Sequence, residues 1–338
     1  MALAEQFQRG IETIPGIHLY GGEKRVAAIV SCNLADLDSA YVSDCLAEDY
    51  GIATRAGVHC APLMHTHFGT EKQGMVRFSF SCFNTTEEVE KAVRAMQDIA
   101  AENRGKVTAY VGAGGKTSSI RKRAETLRAE GKRVLILTTT KMMVPQEQEI
   151  FAAYEQTGQE SVISATASVW QERRAAEKQL KERVQSVLDT YGCCVAGSLI
   201  PGTEKFGMLP EKLMEDLLYL ADEILIEADG SAHMPVKAPA EHEPVLFPYM
   251  DEVVIVMGAH AIGKPLQKVC HRVDYAKKIL KCDADKIVTA ADIRALAEQG
   301  YAIPIQKQFP WMKISKVTGK DIKLCLTAEK KDKVRDKQ

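Results

Sequence analysis

The hydrophobic pattern near the start of the chain is that of a small unit of strands and helices. Residues 25–34 form an apolar run that predicts a strand, and apolar positions within residues 39–50 recur at helical spacing. Apolar and polar side chains alternate over residues 51–57 and 75–81, which predicts two more strands. Together these four segments predict one small α/β domain.

A helix is predicted next, over residues 84–100. Thr85 and Glu88 have the spacing of a capping box, and apolar residues follow them at helical intervals. Residues 101–106 are polar and contain a glycine, so we expect the first domain to end there.

From residue 106 the pattern changes to alternating strands and helices, which is typical of a mostly parallel sheet. A strand at residues 107–111, a glycine turn, a helix at 116–130 and a strand at 133–140 complete one βαβ unit. The predicted fold class is therefore α/β, a small α/β domain followed by a mostly parallel α/β sheet domain. Further helices are predicted at 171–192 and 209–221, and further strands at 223–229 and 251–258.

Length and composition favour two domains. The chain has 338 residues, of which 46% are hydrophobic, and this is enough for two domain cores. We place the domains at residues 1–103 and 104–300. Residues 301–338 are expected to form a divergent tail, and the charged end of that tail is expected to be disordered.

Charge and cysteine content exclude several classes of protein. The formal net charge is −1, from 44 basic and 45 acidic side chains, so no overall field favours nucleic acid or an anionic membrane. The first residues lack a signal-peptide pattern and no segment is apolar enough to span a membrane, so we expect a cytoplasmic protein. The nine cysteines include no C-x-x-C pair, which favours reduced thiols over disulfides or structural zinc.

The glycine turn has the composition of a phosphate-binding loop, with glycines at Gly112, Gly114 and Gly115. Glycines let backbone N–H groups approach a phosphate, and the start of the following helix adds positive potential. Lys116 can then reach terminal phosphate oxygens, and Thr117 can ligate Mg²⁺.

The spacing of this loop is G-x-x-G-K-T, which is shorter than the standard G-x-x-x-x-G-K-[ST] pattern. Tyr110 occupies the position of the first standard glycine, and the shorter loop resembles that of Mur ligases. The alternative is an ordinary α/β turn whose glycines only permit close helix packing. We favour phosphate binding because a predicted strand precedes the motif and a predicted helix follows it.

Polar side chains also lie at the carboxyl ends of two of the predicted strands. Asp229 and Glu227 end an apolar strand, where a carboxylate can hold Mg²⁺ beside the phosphates. The alternative is that the Asp-Gly pair only makes a turn. Thr139 and Thr140 end the strand after the loop's helix, at the edge where α/β sheets bind ligands, so they either contact the nucleotide or cap the next segment.

A proline-rich loop after the Asp229 strand supplies Lys237, His242 and Glu243. These residues are candidates for binding substrate or a second metal, although an isolated histidine is more often structural or solvated. His271 and Arg272 offer anion contacts in the same way, with a positively charged surface turn as the alternative.

Four motifs within residues 106–300 resemble those of the YqeC family and occur in that family's order. They are VGAGGKTS, LILTTTK, LIEADGSAHMPVKAPAEHEPV and GAHAIGKPL. The resemblance implies a P-loop protein that binds ATP or GTP with Mg²⁺ and acts as an accessory factor for selenium-dependent molybdenum hydroxylases. His260 departs from the pattern, since an acidic residue is expected there. The resemblance stops near Gly300, and the apolar strand that should complete the sheet is missing from the pattern.

Two motifs of the first domain resemble the sequence of the small domain of class V aminotransferase-fold cysteine desulfurases and selenocysteine lyases. They are TRAGVHCAPLM and VRFSFSCFNTTEEVEKAV. The resemblance implies that Cys60 accepts sulfur or selenium as a persulfide and that Arg77 binds the substrate carboxylate. Arg55 and His59 lie near Cys60 in sequence and would favour its thiolate. Residue chemistry alone favours a buried core thiol.

The chemistry of that family belongs to pyridoxal phosphate, which a lysine of the large domain holds as a Schiff base. Only 59 residues precede Cys60, and Lys24 has no matching sequence context. We therefore expect pyridoxal phosphate only if a separate lysine-bearing domain supplies it, and no desulfurase activity from this chain alone.

Two function hypotheses follow. The first is a nucleotide-binding accessory protein of selenium cofactor maturation that hydrolyses or transfers a nucleotide, with partners in a molybdenum hydroxylase maturation system. The second is a non-catalytic persulfide or perselenide carrier, or docking module, that uses Cys60 and a complete cysteine desulfurase or selenocysteine lyase. A third possibility is a fusion whose N-terminal half only packs.

Overall fold

Two compact units make up the described part of the chain. The first contains Met1–Gly105 together with Pro210–Asp222, and the second contains Lys106–Leu209 and the chain from Glu223 onward. The segment 210–222 therefore belongs to the first unit, although its place in sequence predicted the second. The residues that the computed structural model describes are 1–21, 27–155 and 167–318.

The helix predicted over residues 84–100 is present as Thr86–Asn103, and it begins with the predicted capping box. Thr85 Oγ1 accepts from the Glu88 N–H at 3.3 Å and Glu88 Oε2 accepts from the Thr85 N–H at 3.1 Å, which confirms the capping box. No helix within the described ranges is long and apolar enough to cross a membrane. The helices are α1 (Ala2–Ile11), α2 (Ser39–Glu48), α3 (Pro62–Phe68), α4 (Thr86–Asn103), α5 (Lys116–Ala129), α6 (Ala167–Tyr191), α7 (Glu211–Leu217), α8 (Leu266–Val269), α9 (Val273–Leu280), α10 (Ala290–Ala295) and α11 (Ile303–Gln308), with a π-helical stretch at Leu296–Ala302.

The strands form one small antiparallel sheet and one large, mostly parallel sheet. A further parallel pair of two-residue strands belongs to the same unit as the large sheet. The strands are β1 (Ile17–Tyr20), β2 (Ile29–Leu34), β3 (Val76–Ser79), β4 (Lys106–Gly112), β5 (Val134–Thr138), β6 (Lys141–Met143), β7 (Phe151–Tyr154), β8 (Cys193–Leu199), β9 (Lys205–Gly207), β10 (Glu223–Glu227), β11 (Val236–Lys237), β12 (Glu252–Met257), β13 (Cys270–His271) and β14 (Lys313–Thr318).

In the first unit, β1, β2 and β3 form an antiparallel sheet in that order. Its core includes Phe7 of α1 and Phe78 of β3, whose ring centroids are 4.4 Å apart. The strand predicted at 51–57 is wrong: within that segment only Arg55 pairs with β3. Gly51 (φ 64°) and Gly57 (φ 95°) turn the backbone out of the extended conformation at both ends of the segment, so no ladder forms.

Helix α7 packs in the first unit through polar contacts as well as apolar ones. Asp216 Oδ1 lies 2.6 Å from His18 Nε2, and the Tyr219 hydroxyl donates to the Pro15 carbonyl at 2.7 Å. The helical pattern of residues 209–221 predicted the helix, but it carries no information on what the helix packs against.

In the second unit, nine described strands form the large sheet in the order β14-β12-β4-β10-β5-β8-β9-β6, with β7 also paired to β8. The strands from β14 to β8 in this order are parallel to their neighbours. Along this order, the connection from β4 skips over β10 to reach β5, and the connection from β10 skips over β4 to reach β12. The two connections therefore run in opposite directions across the sheet. The carboxyl ends of β4 and β10 therefore meet at a topological switch point, where α/β sheets bind ligands.

Strand β14 corrects the expectation that the sheet lacks a last strand and that residues 301–338 form only a tail. Residues 313–318 pair with β12 along its whole length, from Glu252 opposite Lys313 to Met257 opposite Thr318. The segment reads KISKVT and contains only two apolar residues, Ile314 and Val317, so it lacks the continuous apolar run that predicts a buried parallel strand. Residues 319–338, including the charged end, lie outside the described residues.

Candidate functional site

The glycine loop joins the end of β4 to the start of α5 at the switch point of the large sheet. Gly112 and Gly114 have φ of 93° and 77°, which non-glycine residues rarely adopt. A Cβ at Gly112 would lie 2.2 Å from the Val256 carbonyl oxygen, and one at Gly114 would lie 2.3 Å from that of Pro235. Gly115 also has a positive φ, 129°, but a Cβ there would meet open space. Packing thus requires glycine on the loop's inner side, and its outer side is open.

Lys116 is buried at the start of α5, and its side chain turns back over the loop. The Nζ atom donates to the Gly112 carbonyl at 2.6 Å and lies 3.0 Å from Asp229 Oδ1. The contact with Oδ1 lacks hydrogen-bond geometry, and Oδ1 has no other hydrogen-bond partner. Charge alone therefore holds the Lys116 ammonium to the carboxylate.

Asp229 follows β10, and its side chain is fully buried. Its Oδ2 atom accepts from the Gly112 N–H at 3.0 Å and from the Tyr301 hydroxyl at 2.9 Å. Lys237 Nζ lies 3.3 Å from the same oxygen. The sequence predicted a metal role for Asp229, which remains a prediction; in the structure its carboxylate lies against the loop and two lysines.

Tyr301 is a site residue that the sequence analysis missed. It lies in the π-helical stretch and is fully buried. Burial raises the pKa of Tyr301 well above its ordinary value, and the Asp229 charge adds to the effect, so the hydroxyl stays a donor. The residue stands after the last recognised motif, and nothing in its local sequence indicates a carboxylate partner.

Thr117 and Glu227 form a second polar pair beside the loop. The Thr117 hydroxyl donates to Glu227 Oε2 at 2.9 Å. Burial raises the pKa of Glu227, while the Lys116 charge and the Thr117 hydrogen bond partly oppose that effect. This pair places a hydroxyl and a carboxylate oxygen side by side at the start of α5.

Thr139 and Thr140 follow β5 next to β10, as the sequence analysis predicted. The Thr139 N–H donates to the Glu227 carbonyl at 3.0 Å, and its hydroxyl donates to the Val245 carbonyl at 3.1 Å. The Thr140 N–H donates to the Thr138 hydroxyl at 3.0 Å. Thr139 thus bonds two segments that are far away in sequence, whereas Thr140 makes a local contact, and nucleotide contact by either threonine remains a prediction.

The proline-rich loop contributes its charged residues unequally. Lys237 is completely buried in β11, and its Nζ atom lies 2.7 Å from Glu243 Oε2. Arg272 Nη2 donates to Glu243 Oε1 at 2.8 Å. Burial alone would raise the pKa of Glu243, but the hydrogen bond and charge of Lys237, with Arg272, lower it. His242 is exposed, so of the loop's three candidate residues only Lys237 and Glu243 join this group of ion pairs.

The first unit holds the candidate cysteine. Cys60 is exposed just before α3, and His59 and Cys60 both have left-handed backbone conformations, with φ of 52° and 57°. His59 Nε2 lies 2.8 Å from the Arg55 carbonyl oxygen. Burial lowers the pKa of His59; the hydrogen bond to the Arg55 carbonyl opposes this and the charge of Arg77 adds to it, so the environment disfavours a charged imidazole beside Cys60. Because Cys60 is exposed, the prediction of a buried core thiol from residue chemistry alone is wrong.

Arg55 and Arg77 are neighbours in the backbone. The Arg77 N–H donates to the Arg55 carbonyl at 2.8 Å, and the Arg55 N–H donates to the Arg77 carbonyl at 3.2 Å. The structure thus brings Arg77 to the segment that leads into Cys60. Its role in binding a carboxylate remains a prediction.

Cys193 and Cys194 lie in β8. Both are buried, and burial raises the pKa of Cys193 to about 11 and that of Cys194 to about 12. Since a thiolate is the reactive form, neither is a nucleophile near neutral pH. The described part of the chain contains no group of three or more His, Cys, Asp or Glu residues arranged to hold a metal ion.

Comparison with known proteins separates the chain into two parts. The family model for YqeC protein matches residues 108–274. YqeC of Escherichia coli strain K12 is 33% identical over 206 residues, which cover 59% of this chain and 70% of that protein. The chain belongs to the YqeC family. The YqeC match includes the glycine loop, Glu227, Asp229 and Lys237, whereas Tyr301 lies beyond its end.

A second family model, for aminotransferase class V, matches residues 1–92 of this YqeC-family chain. A cysteine desulfurase of Shigella flexneri is 35% identical over 89 residues, covering 26% of this chain and 21% of that protein. The crystal structure of the cysteine desulfurase CsdA from Escherichia coli has 29% sequence identity and a TM-score of 0.27, covering 30% of this chain and 24% of that one. The chain thus spans about a fifth to a quarter of the length of these desulfurases.

The close packing of the glycine loop predicts a specific loss of stability in the Gly112→Ala variant. Gly112 and Gly131 both have positive φ, 93° and 80°, so alanine strains the backbone at either position. Only at Gly112 would the new Cβ also meet a backbone oxygen, whereas nothing lies within 4 Å at Gly131. Differential scanning calorimetry should show a larger fall in melting temperature for Gly112→Ala than for Gly131→Ala. Equal falls would mean that the loop is not packed as described.

Proposed function

We propose that the YqeC-family unit binds the phosphates of ATP or GTP with Mg²⁺ at the glycine loop. The observation that carries the proposal is the position of Lys116, which lies at the start of a 14-residue helix, directly over a loop at the switch point. Helix N-termini and glycine-loop amides attract phosphate, and a lysine adds the charge that terminal phosphate oxygens need. The open outer side at Gly115 is consistent with access for a ligand.

Mg²⁺ fits Thr117 and Glu227 better than Asp229. The Thr117 hydroxyl and the Glu227 carboxylate are adjacent oxygen donors, the type that Mg²⁺ prefers, and a nucleotide-bound Mg²⁺ takes only one or two ligands from protein. Asp229 is already bound by the Gly112 N–H, Tyr301 and two lysines. When bound, Mg²⁺ would neutralise charge on the phosphates. Asp229 would instead position Lys116.

The activity that this arrangement supports is nucleotide hydrolysis or nucleotide-dependent transfer. Membership of the YqeC family, with the selenium role that the resemblance implies, supports an accessory function in selenium cofactor maturation. Maturation proteins of the selenium-dependent molybdenum hydroxylases are the partners that follow from this role.

The proposal predicts that Lys116→Ala weakens binding of MgATP and MgGTP by about tenfold or more, because a charge-assisted contact contributes roughly 1.5–3 kcal/mol. Isothermal titration calorimetry with each nucleotide measures the affinity. Lys122→Ala is the matched control, since Lys122 lies exposed on the same helix. Unchanged affinity in Lys116→Ala, with measurable binding by the unaltered chain, would rule out the phosphate-loop assignment.

A second candidate function for the first unit is a sulfur or selenium carrier that uses Cys60. The exposed thiol, on two consecutive left-handed residues within the segment that matches class V aminotransferases, favours it. Such strained conformations cost roughly 1–3 kcal/mol each and cluster at functional sites. Pyridoxal phosphate enters this proposal only through the lysine-bearing domain of a partner cysteine desulfurase or selenocysteine lyase. Lys24 lies outside the described residues.

The transfer is a thiol exchange. The Cys60 thiolate attacks the outer sulfur of the partner's cysteine persulfide, a new S–S bond forms on Cys60, and the partner cysteine leaves as a thiolate. The step needs no added oxidant or reductant. An outer selenium atom would be transferred in the same way.

The carrier proposal predicts one added sulfur on the Cys60 peptide after incubation with a cysteine desulfurase and cysteine. Mass spectrometry without reductant would detect it, and Cys60→Ser should abolish it. Cys82→Ser is the matched control, because Cys82 is also an exposed thiol of the same unit. Sulfur appearing equally on both cysteines, or on neither, would contradict a specific role for Cys60.

A further inference from the structure

The buried charges of the second unit form a continuous chain that leads away from the glycine loop. Lys116 lies 3.0 Å from Asp229, and Asp229 lies 3.3 Å from Lys237. Lys237 lies 2.7 Å from Glu243, which lies 2.8 Å from Arg272. Positive and negative groups therefore alternate from the loop to the partly exposed Arg272.

We infer that Lys237 is a positioning residue that keeps Asp229 neutralised when Lys116 leaves it to bind phosphate. The inference rests on the proposed nucleotide function and extends it to a residue buried away from the ligand. Lys237 was predicted as a substrate contact, but its side chain is 0% exposed, so it acts through Asp229.

The reason lies in the cost of a bare buried carboxylate. In the described part of the chain, Lys116 and Lys237 are the cations within ion-pair distance of Asp229. If Lys116 turned toward a phosphate without Lys237 present, Asp229 would keep only two neutral donors, the Gly112 N–H and the Tyr301 hydroxyl. Removing one partner of a buried ion pair leaves an uncompensated buried charge and is strongly destabilising, so without Lys237 this penalty would weaken phosphate binding.

The Lys116 contact has the properties of a pair that can open. Its ammonium group approaches Asp229 Oδ1 without hydrogen-bond geometry, and its hydrogen bond goes to the Gly112 carbonyl. Lys237, by contrast, is fixed by Glu243 and by a hydrogen bond to the Gly230 carbonyl. Lys116, the lysine beside the glycine loop, is therefore held by fewer contacts than Lys237.

Glu243 and Arg272 complete the arrangement. Because Arg272 also binds Glu243, Lys237 can serve Asp229 without leaving Glu243 unpaired. Without Lys237, two balanced pairs would remain, Lys116 with Asp229 and Arg272 with Glu243. The unliganded fold would then keep its charges paired. Lys116, however, would be the remaining cation beside Asp229 and could not turn toward a phosphate without leaving that carboxylate unpaired.

The test compares Lys237→Met, Asp229→Asn and the double variant in the full chain. Calorimetric titration with MgATP and MgGTP should show that Lys237→Met weakens binding by about tenfold or more relative to the unaltered chain. Adding Lys237→Met to Asp229→Asn should change affinity little, because the neutral amide no longer needs a cation. This rescue distinguishes positioning through charge from a simple packing role, which would weaken both backgrounds equally.

Three outcomes have separate meanings. Equal affinity of Lys237→Met and the unaltered chain would overturn the role of Lys237, as would an equal loss in the Asp229→Asn background. If Lys237→Met alone does not fold but the double variant folds and binds like Asp229→Asn, that rescue supports the need for a cation beside Asp229, and weaker binding by the double variant than by Asp229→Asn overturns it. No binding of either nucleotide by the unaltered chain would instead overturn the proposed nucleotide function.

Discussion

The buried carboxylate of Asp229 is the constraint on which the second unit's site depends. A carboxylate with no solvent contact must be surrounded by donors and cations, and here they come from widely separated segments. The loop supplies the Gly112 N–H and Lys116, β11 supplies Lys237, and the π-helical stretch supplies Tyr301. One charged group therefore ties together the end of β4, the start of α5 and the chain beyond residue 300.

The two acidic residues at the end of β10 have different surroundings. Glu227 is the last residue of the strand, and Asp229 follows it. Glu227 faces the Thr117 hydroxyl and has no described cation within ion-pair distance, whereas Asp229 binds two lysines. Two carboxylates two positions apart thus take different environments, one suited to a metal ion and the other to holding lysines. Both side chains are buried, so the groups that surround each carboxylate make the difference.

Sequence pattern predicted the parts of this site that are local. The alternation after residue 106 indicated β4, α5 and β5, and the glycine spacing placed Lys116 and Thr117 at the start of the helix. Tyr301, the burial of Lys237 and the place of α7 were not predictable in this way, because each depends on a partner far away in sequence. Strand β14 was missed for a different reason: it lies at the edge of the sheet and four of its six residues are polar, so its sequence has neither an apolar run nor an alternating pattern.

The central claim is that the glycine loop binds nucleotide phosphates, and hydrogen–deuterium exchange of the intact chain tests it most directly. With saturating MgATP or MgGTP, the account predicts slower exchange of the amides in residues 112–118, because loop and helix N–H groups would bond phosphate oxygens. Exchange in residues 229–237 should also change as Lys116 leaves Asp229. Unchanged exchange in both segments with both nucleotides would contradict the claim.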